Sequence, residues 1–136
     1  MGKTIIEGIH HVAITVADFD RSVEFYQALG MEVALAWGAK GADGDKRACM
    51  LSCGGGAHLE LFAGRQGAER GEGAWQHIAL TTPDCDAAWE RAMAAGAKVK
   101  NAPFEVDIKG TPPARVRIAF CHGPDGEVVE FFQRMS

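Results

Sequence analysis

At 136 residues the chain is long enough to bury the core of one compact domain. Its 14 Lys and Arg against 18 Asp and Glu leave a net charge of −4, a mild acidity that gives no support to nucleic-acid or anionic-membrane binding. No stretch approaches the roughly 20 apolar residues of a membrane span, and MGKTIIEGIH lacks the apolar run of a signal peptide.

The first expected element is a strand at 9–16, where IHHVAITV alternates small or polar with apolar residues. Asp18 then offers an N-cap carboxylate. DFDRSVEFYQALG follows with Phe19, Val23, Phe25, Tyr26 and Leu29 at mostly helical spacing, and Gly30 is suited to end the helix. Strands are expected at 31–37, 47–53 and 57–63, separated by the glycine-rich turns GAKGADGD and GGG. GRQGAERGEGA, at 64–74, is polar and glycine-rich and reads as a connector. The order then repeats: a strand at 75–81, a helix at 83–95 with Pro83 tolerated in its first turn, and strands at 97–104, 115–121 and 127–133.

The repetition extends to individual residues. HHVAITVADFD at 10–20 returns as QHIALTTPDCD at 76–86, so His11 matches His77 at an offset of 77 − 11 = 66. The same offset relates Asp18 to Asp84, Asp20 to Asp86 and Gly30 to Gly96. AHLELF at 57–62 resembles EVVEFF at 127–132, which sets Glu60 against Glu130 at 130 − 60 = 70. Four extra residues therefore belong to the second half, and the DIKGTPPA loop is the expected place. The fold class is α+β: two βαβββ modules, 8–63 and 75–133, within a single domain spanning 1–136.

Strand alternation puts functional groups on one face. His11, Ala13 and Thr15 share a side of the first strand, opposite Val12, Ile14 and Val16, which pack under the helix. His77 with Ala79, Glu60 between Leu59 and Leu61, and Glu130 between Val129 and Phe131 follow the same rule. A carboxylate in so apolar a strand is costly unless it is paired or holds a metal. If the sheets curve and meet, the four converge as a His₂Glu₂ set, which suits zinc, nickel, cobalt or manganese. One module supplies only half of that set, so the full site needs two modules, within one chain or exchanged between two.

Other conspicuous residues have plainer readings. His10 points away from His11 and is structural or exposed. His122, in HGPDG, reads as a turn residue. Asp18 and Asp84 are helix caps. His58 shares a face with Glu60 and lines the site or its edge, while Phe62, Phe132 and Trp75 wall it or belong to the core. Cys49, Cys53, Cys85 and Cys121 are too few and scattered for a disulfide framework, and read as reduced, mostly buried thiols of a cytoplasmic protein.

HVAITVADFDRSVEFYQALGM, HLELF, QHIAL and CHGPDGEVVEFF together resemble the vicinal oxygen chelate superfamily, also called the glyoxalase/bleomycin resistance/dioxygenase superfamily. The likeness covers nearly the whole chain. It implies paired βαβββ modules forming a cup around a divalent metal held by His11, Glu60, His77 and Glu130. A His-Glu-His-Glu set is that of lactoylglutathione lyase, glyoxalase I. Dioxygenase and fosfomycin-resistance relatives typically use two His and one Glu, and epimerases commonly have Gln at the place of Glu60. The resemblance therefore implies a lyase that turns a 2-oxoaldehyde–thiol hemithioacetal into a 2-hydroxyacyl thioester through a metal-bound enediolate. Glu130 would be the base and Glu60 its counterpart, with glutathione or another thiol as co-substrate. It also implies a homodimer with shared sites and a small-molecule substrate. Bacterial lyases usually have Arg where Thr15 stands and Asn near Gly64, both of which hold glutathione. Here Thr15, His58 and Lys109 are the expected substrate contacts, and Lys109, Arg115 or Arg117 the expected replacement for the missing anion grip. The alternatives are an epimerase or dioxygenase of the same superfamily, or a drug-binding resistance protein, which typically lacks the metal set.

Overall fold

Residues 11–67, 77–108 and 113–136 are described in the computed structural model of the chain. Strand β1 (His11–Thr15) hands over quickly to helix α1 (Phe19–Ala28). Asp18 sets the handover: its backbone is extended and its carboxylate accepts the Arg21 N–H, satisfying one of the amides a helix start leaves free. Leu29 closes the helix, and Gly30 follows at φ +97°, a left-handed conformation that a side chain would strain.

The first module continues with β2 (Glu32–Trp37), a short hairpin of β3 (Lys40–Gly41) and β4 (Gly44–Asp45), then β5 (Ala48–Ser52) and β6 (His58–Phe62). GAKGADGD is thus a small hairpin rather than a plain turn. The second module consists of β7 (Ile78–Thr81), α2 (Cys85–Ala94), β8 (Lys98–Ile108), β9 (Ala114–His122) and β10 (Val128–Arg134). Helix α2 starts like α1, with Asp84 accepting the Ala87 N–H. Pro83 therefore precedes the cap instead of occupying the first turn. The Asp84 carboxylate can satisfy a helix amide, and the Thr82 hydroxyl accepts the Asp84 N–H on the approach.

Each module forms a four-stranded sheet, ordered β1-β6-β5-β2 and β7-β10-β9-β8. The module's first and last strands lie parallel at one side, and the other pairings are antiparallel. Strand β8 outruns the expected 97–104 because β9 pairs with it as far as Ile108. Its register slips between Val99 and Asn101 and again between Asn101 and Phe104. Pro103, which has no N–H to donate, falls inside the second slip on this edge strand. Strands β2 and β8 start 98 − 32 = 66 residues apart, whereas the partners of Glu60 and Glu130 on β5 and β9, Met50 and Phe120, are 70 apart. The four extra residues accordingly fall between the start of β8 and Phe120.

The helix-side faces of both sheets share one apolar cluster. Leu59 and Leu61 of β6, with Phe25 and Tyr26 of α1, meet Ala119 and Cys121 of β9 and Val129 and Phe131 of β10. Burying each large apolar side chain is worth about 1.5–3 kcal/mol. Ile14 and Val16 join the cluster, but Val12, at the start of edge strand β1, remains exposed. All four cysteines are free, with Cys49, Cys85 and Cys121 buried and Cys53 half-buried. Among the described residues no helix is long and apolar enough to cross a membrane.

Candidate metal centre

The register between strands builds the same constellation twice. In the first sheet His11 lies opposite His58, Ala13 opposite Glu60 and Thr15 opposite Phe62. Paired residues share a face, so these groups look out from the side away from the core. His11 Nε2 stands 3.6 Å from Glu60 Oε1. In the second sheet Ala79 lies opposite Glu130, and His77 Nε2 stands 3.2 Å from Glu130 Oε1. Strands β5 and β9 complete the rows, with Met50 beside Glu60 and Phe120 beside Glu130. The Phe120 ring also meets the His77 imidazole edge-on, 5.8 Å between centres.

Both carboxylates are nearly sealed, Glu60 at 8% exposure and Glu130 at 7%. Burial pushes the Glu130 carboxyl above its ordinary range, and the positive form of His77 partly offsets that rise. A carboxylate flanked by Ala79 and Phe120 is expensive to ionise without a cation beside it. The histidine nitrogens and carboxylate oxygens are donors that zinc and its neighbours accept. The donor chemistry and the paired distances fit a divalent cation.

One chain presents these donors as two pairs. Among the described residues no group of three or more His, Cys, Asp or Glu side chains is placed to hold one metal ion. The physical reason is the shared core: both sheets turn their helix-covered sides inward, which leaves the His–Glu faces on the outside. Thr15 and half-buried His58 are on the site face of the first sheet, as expected. Phe62 is on that face too, and Phe132 is on the matching face of the second sheet. Lys109, Trp75 and His10 lie outside the described residues.

Arg115 and Arg117 are engaged by the chain's own carboxylates. Arg115 is 2.7 Å from Glu105 and 3.4 Å from Asp107, and Arg117 makes a two-point bond of 2.8 and 2.9 Å to Asp86 on α2. Arg117 alternates with site-facing Ile118 and so lies on the helix side. His122 is the last residue of β9 rather than part of the turn. The cysteines offer no ready nucleophile: burial, then the charge of Glu127, pushes the Cys121 thiol up to about 12. Sequence reasoning missed Met50, Phe120 and Trp37 on the site faces. Alternation along β5 and β9 held the signal, but it becomes readable only once the pairing register is known.

Known proteins give the same architecture. The family model of the Glyoxalase/Bleomycin resistance protein/Dioxygenase superfamily matches residues 8–131. The uncharacterized protein YwbC of Bacillus subtilis (strain 168) is 34% identical over 129 residues, covering 93% of this chain and 97% of its own length. Among solved structures, a glyoxalase family protein from Enterococcus faecalis superimposes with a TM-score of 0.70 at 21% identity, over 95% of this chain and 99% of that one. A mutant of glyoxalase I from Zea mays gives 0.69 at 26% identity, over 90% of this chain but 45% of the maize chain. The chain belongs to the Glyoxalase/Bleomycin resistance protein/Dioxygenase superfamily.

Proposed function

We propose that this protein is a metal-dependent lyase of the glyoxalase I type, converting a 2-oxoaldehyde–thiol hemithioacetal into a 2-hydroxyacyl thioester. The observation that carries the reading is the twice-built pair, His11 with Glu60 and His77 with Glu130, each with its carboxylate nearly sealed. Zinc or nickel suits two nitrogens and two carboxylates best, with cobalt or manganese next. The domain works as two modules, 8–63 and 75–133 joined through 64–74, each supplying half of a site. Because one chain keeps its pairs apart, the working unit is a homodimer in which the His11–Glu60 face of one copy meets the His77–Glu130 face of a second. The four free cysteines suit a cytoplasmic location.

His11, Glu60, His77 and Glu130 would hold a divalent cation, which would supply Lewis acidity to the substrate. The chain's own residues move the proton between the adjacent carbons. Glu130, raised by burial, is the base, and Glu60 is its counterpart. His11 and His77 present their Nε2 atoms beside these carboxylates as the nitrogen donors of the set. Met50 and Phe120 keep water from the flanks. Thr15, His58 and Lys109 are the substrate contacts, and glutathione or another thiol is the co-substrate.

The test strips the protein of metal and reloads it with nickel, zinc, cobalt or manganese separately. Isomerisation of 2-oxoaldehyde–thiol hemithioacetals is then followed, with Glu130→Gln alongside. Turnover with at least one metal, reduced by about 10²–10⁴-fold in Glu130→Gln, is the expected result. A protein that binds metal yet turns over no hemithioacetal would overturn the lyase assignment.

A further inference from the structure

The strand rows beside the two glutamates are apolar and rich in rings. Across β1, β6, β5 and β2 the row next to Glu60 reads Thr15, Phe62, Ala48, Trp37. Trp37 and Phe62 meet edge-to-face across small Ala48, 6.2 Å between ring centres, within the range that aromatic pairs prefer. The matching row of the second sheet reads Thr81, Phe132, Ile118, Phe104. The glutamate rows end in Leu35 on one sheet and Asn101 on the other. None of these four rows contains a Lys or an Arg. Trp37 is 41% exposed and Phe104 40%, so both sheets offer ring surface to a ligand. The arginines of β9 and the one before β5 are committed to the protein's own carboxylates: Arg47 to Asp20 and Asp45, Arg115 to Glu105 and Asp107, Arg117 to Asp86.

We propose that the substrate carries an uncharged aromatic body beside its two metal-binding oxygens, seated on Trp37 and Phe62 of one sheet and on Phe104 and Phe132 of the other. The proposal rests on the metal-site reading above and names a substrate class for that site. Lys98, in the row of Val128 and His122, and Arg134, one row past Phe132, lie at the margins of this face; within the four rows themselves a carboxylate would be desolvated without a partner, whereas a flat ring gains contact and sheds water.

Acetohydroxamate and benzohydroxamate test this, because they present the same two adjacent oxygens and differ only in methyl against phenyl. Zinc-loaded protein is titrated with each, read by calorimetry and by quenching of tryptophan fluorescence. Benzohydroxamate is expected to bind about tenfold more tightly, a difference of about 1.4 kcal/mol. Trp37→Ala should bring that preference to within about twofold, and Trp37→Phe should retain it. Equal affinities on zinc-loaded protein would overturn the aromatic body and leave the metal site standing. So would a preference that survives both Trp37→Ala and Phe104→Ala, or S-methylglutathione displacing acetohydroxamate better than benzohydroxamate does. A protein that holds neither zinc nor hydroxamate would overturn the metal reading and this one with it.

Discussion

Glu130 stands between Ala79 and Phe120 with His77 Nε2 3.2 Å away, an environment that penalises its charge unless a cation is present. That penalty yields a prediction with two opposite signs. A carboxyl raised above its ordinary 4.5 keeps its proton longer in the folded than in the unfolded state, so ionising it lowers stability as pH climbs through that window. Glu130→Gln should therefore raise the melting temperature of metal-free protein at neutral pH. The same change should weaken zinc binding by more than the roughly 10–100-fold that a ligand's supporting partners are worth, measured by chelator competition. A variant that is less stable without metal, or that binds zinc as before, would show that Glu130 is not a strained ligand. The four candidate ligands were legible in the sequence because the repeat equates them and strand parity fixes their face. Tyr26, Asp125 and Glu127 were not. Tyr26 reads as one more apolar residue of the helix, Asp125 as turn chemistry and Glu127 as the start of a strand, and no local pattern sets residue 26 beside residue 127.

At the scale of elements, the repeat also carries a matched ion pair that ties each helix start to the sheet it covers. Arg47 binds Asp20 of α1 at 2.8 and 3.1 Å, and Arg117 binds Asp86 of α2 at 2.8 and 2.9 Å. Asp45 makes a further contact with Arg47 at 2.7 Å. Hydrogen bonds to these guanidiniums hold all three carboxyls low, Asp45 at about 2. A depressed folded pKa gives stability that is present above the ordinary 3.8 and lost as pH falls through the folded value. Arg47→Met should flatten the fall in melting temperature between about pH 4 and 2, and Arg117→Met should do so through Asp86, with small effects near neutrality from the exposed pairs to Asp20 and Asp86. An unchanged acid limb in both variants would remove these bridges from the account. Helix starts were readable from Asp18 and Asp84, and glycines marked their ends. The length of β8 and the β3–β4 hairpin were not, because a strand's extent depends on its partner across the sheet.

At the scale of the whole molecule, a hydrogen-bond cluster around Asp125 and Glu127 joins the two modules in addition to the apolar core. The Tyr26 hydroxyl donates to Glu127 Oε2 at 3.0 Å, the Asp125 N–H donates to Glu127 Oε1 at 2.9 Å, and the Ala17 N–H donates to Asp125 Oδ1 at 3.0 Å. Glycine at 123 leaves room for this cluster, since a Cβ there would lie 2.5 Å from Glu127 Oε1. These bonds fix the turn before β10, which carries Glu130, to the end of β1, which carries His11. Folding thus locks the half-sites in a set relation while the core keeps both facing outward. If they meet only between copies, two broken variants can rescue each other. His11→Ala disables one half-site and His77→Ala the other, so neither homodimer holds a complete ligand set. In a mixed dimer, one site combines both broken halves and the other combines both intact ones. Random exchange makes half of the dimers mixed, which restores about a quarter of the wild-type zinc sites on mixing. Zinc retained after dialysis of the separate and exchanged variants measures this directly. Recovery near a quarter would establish the shared site, whereas no recovery after confirmed subunit exchange would place all four ligands of each site on one chain.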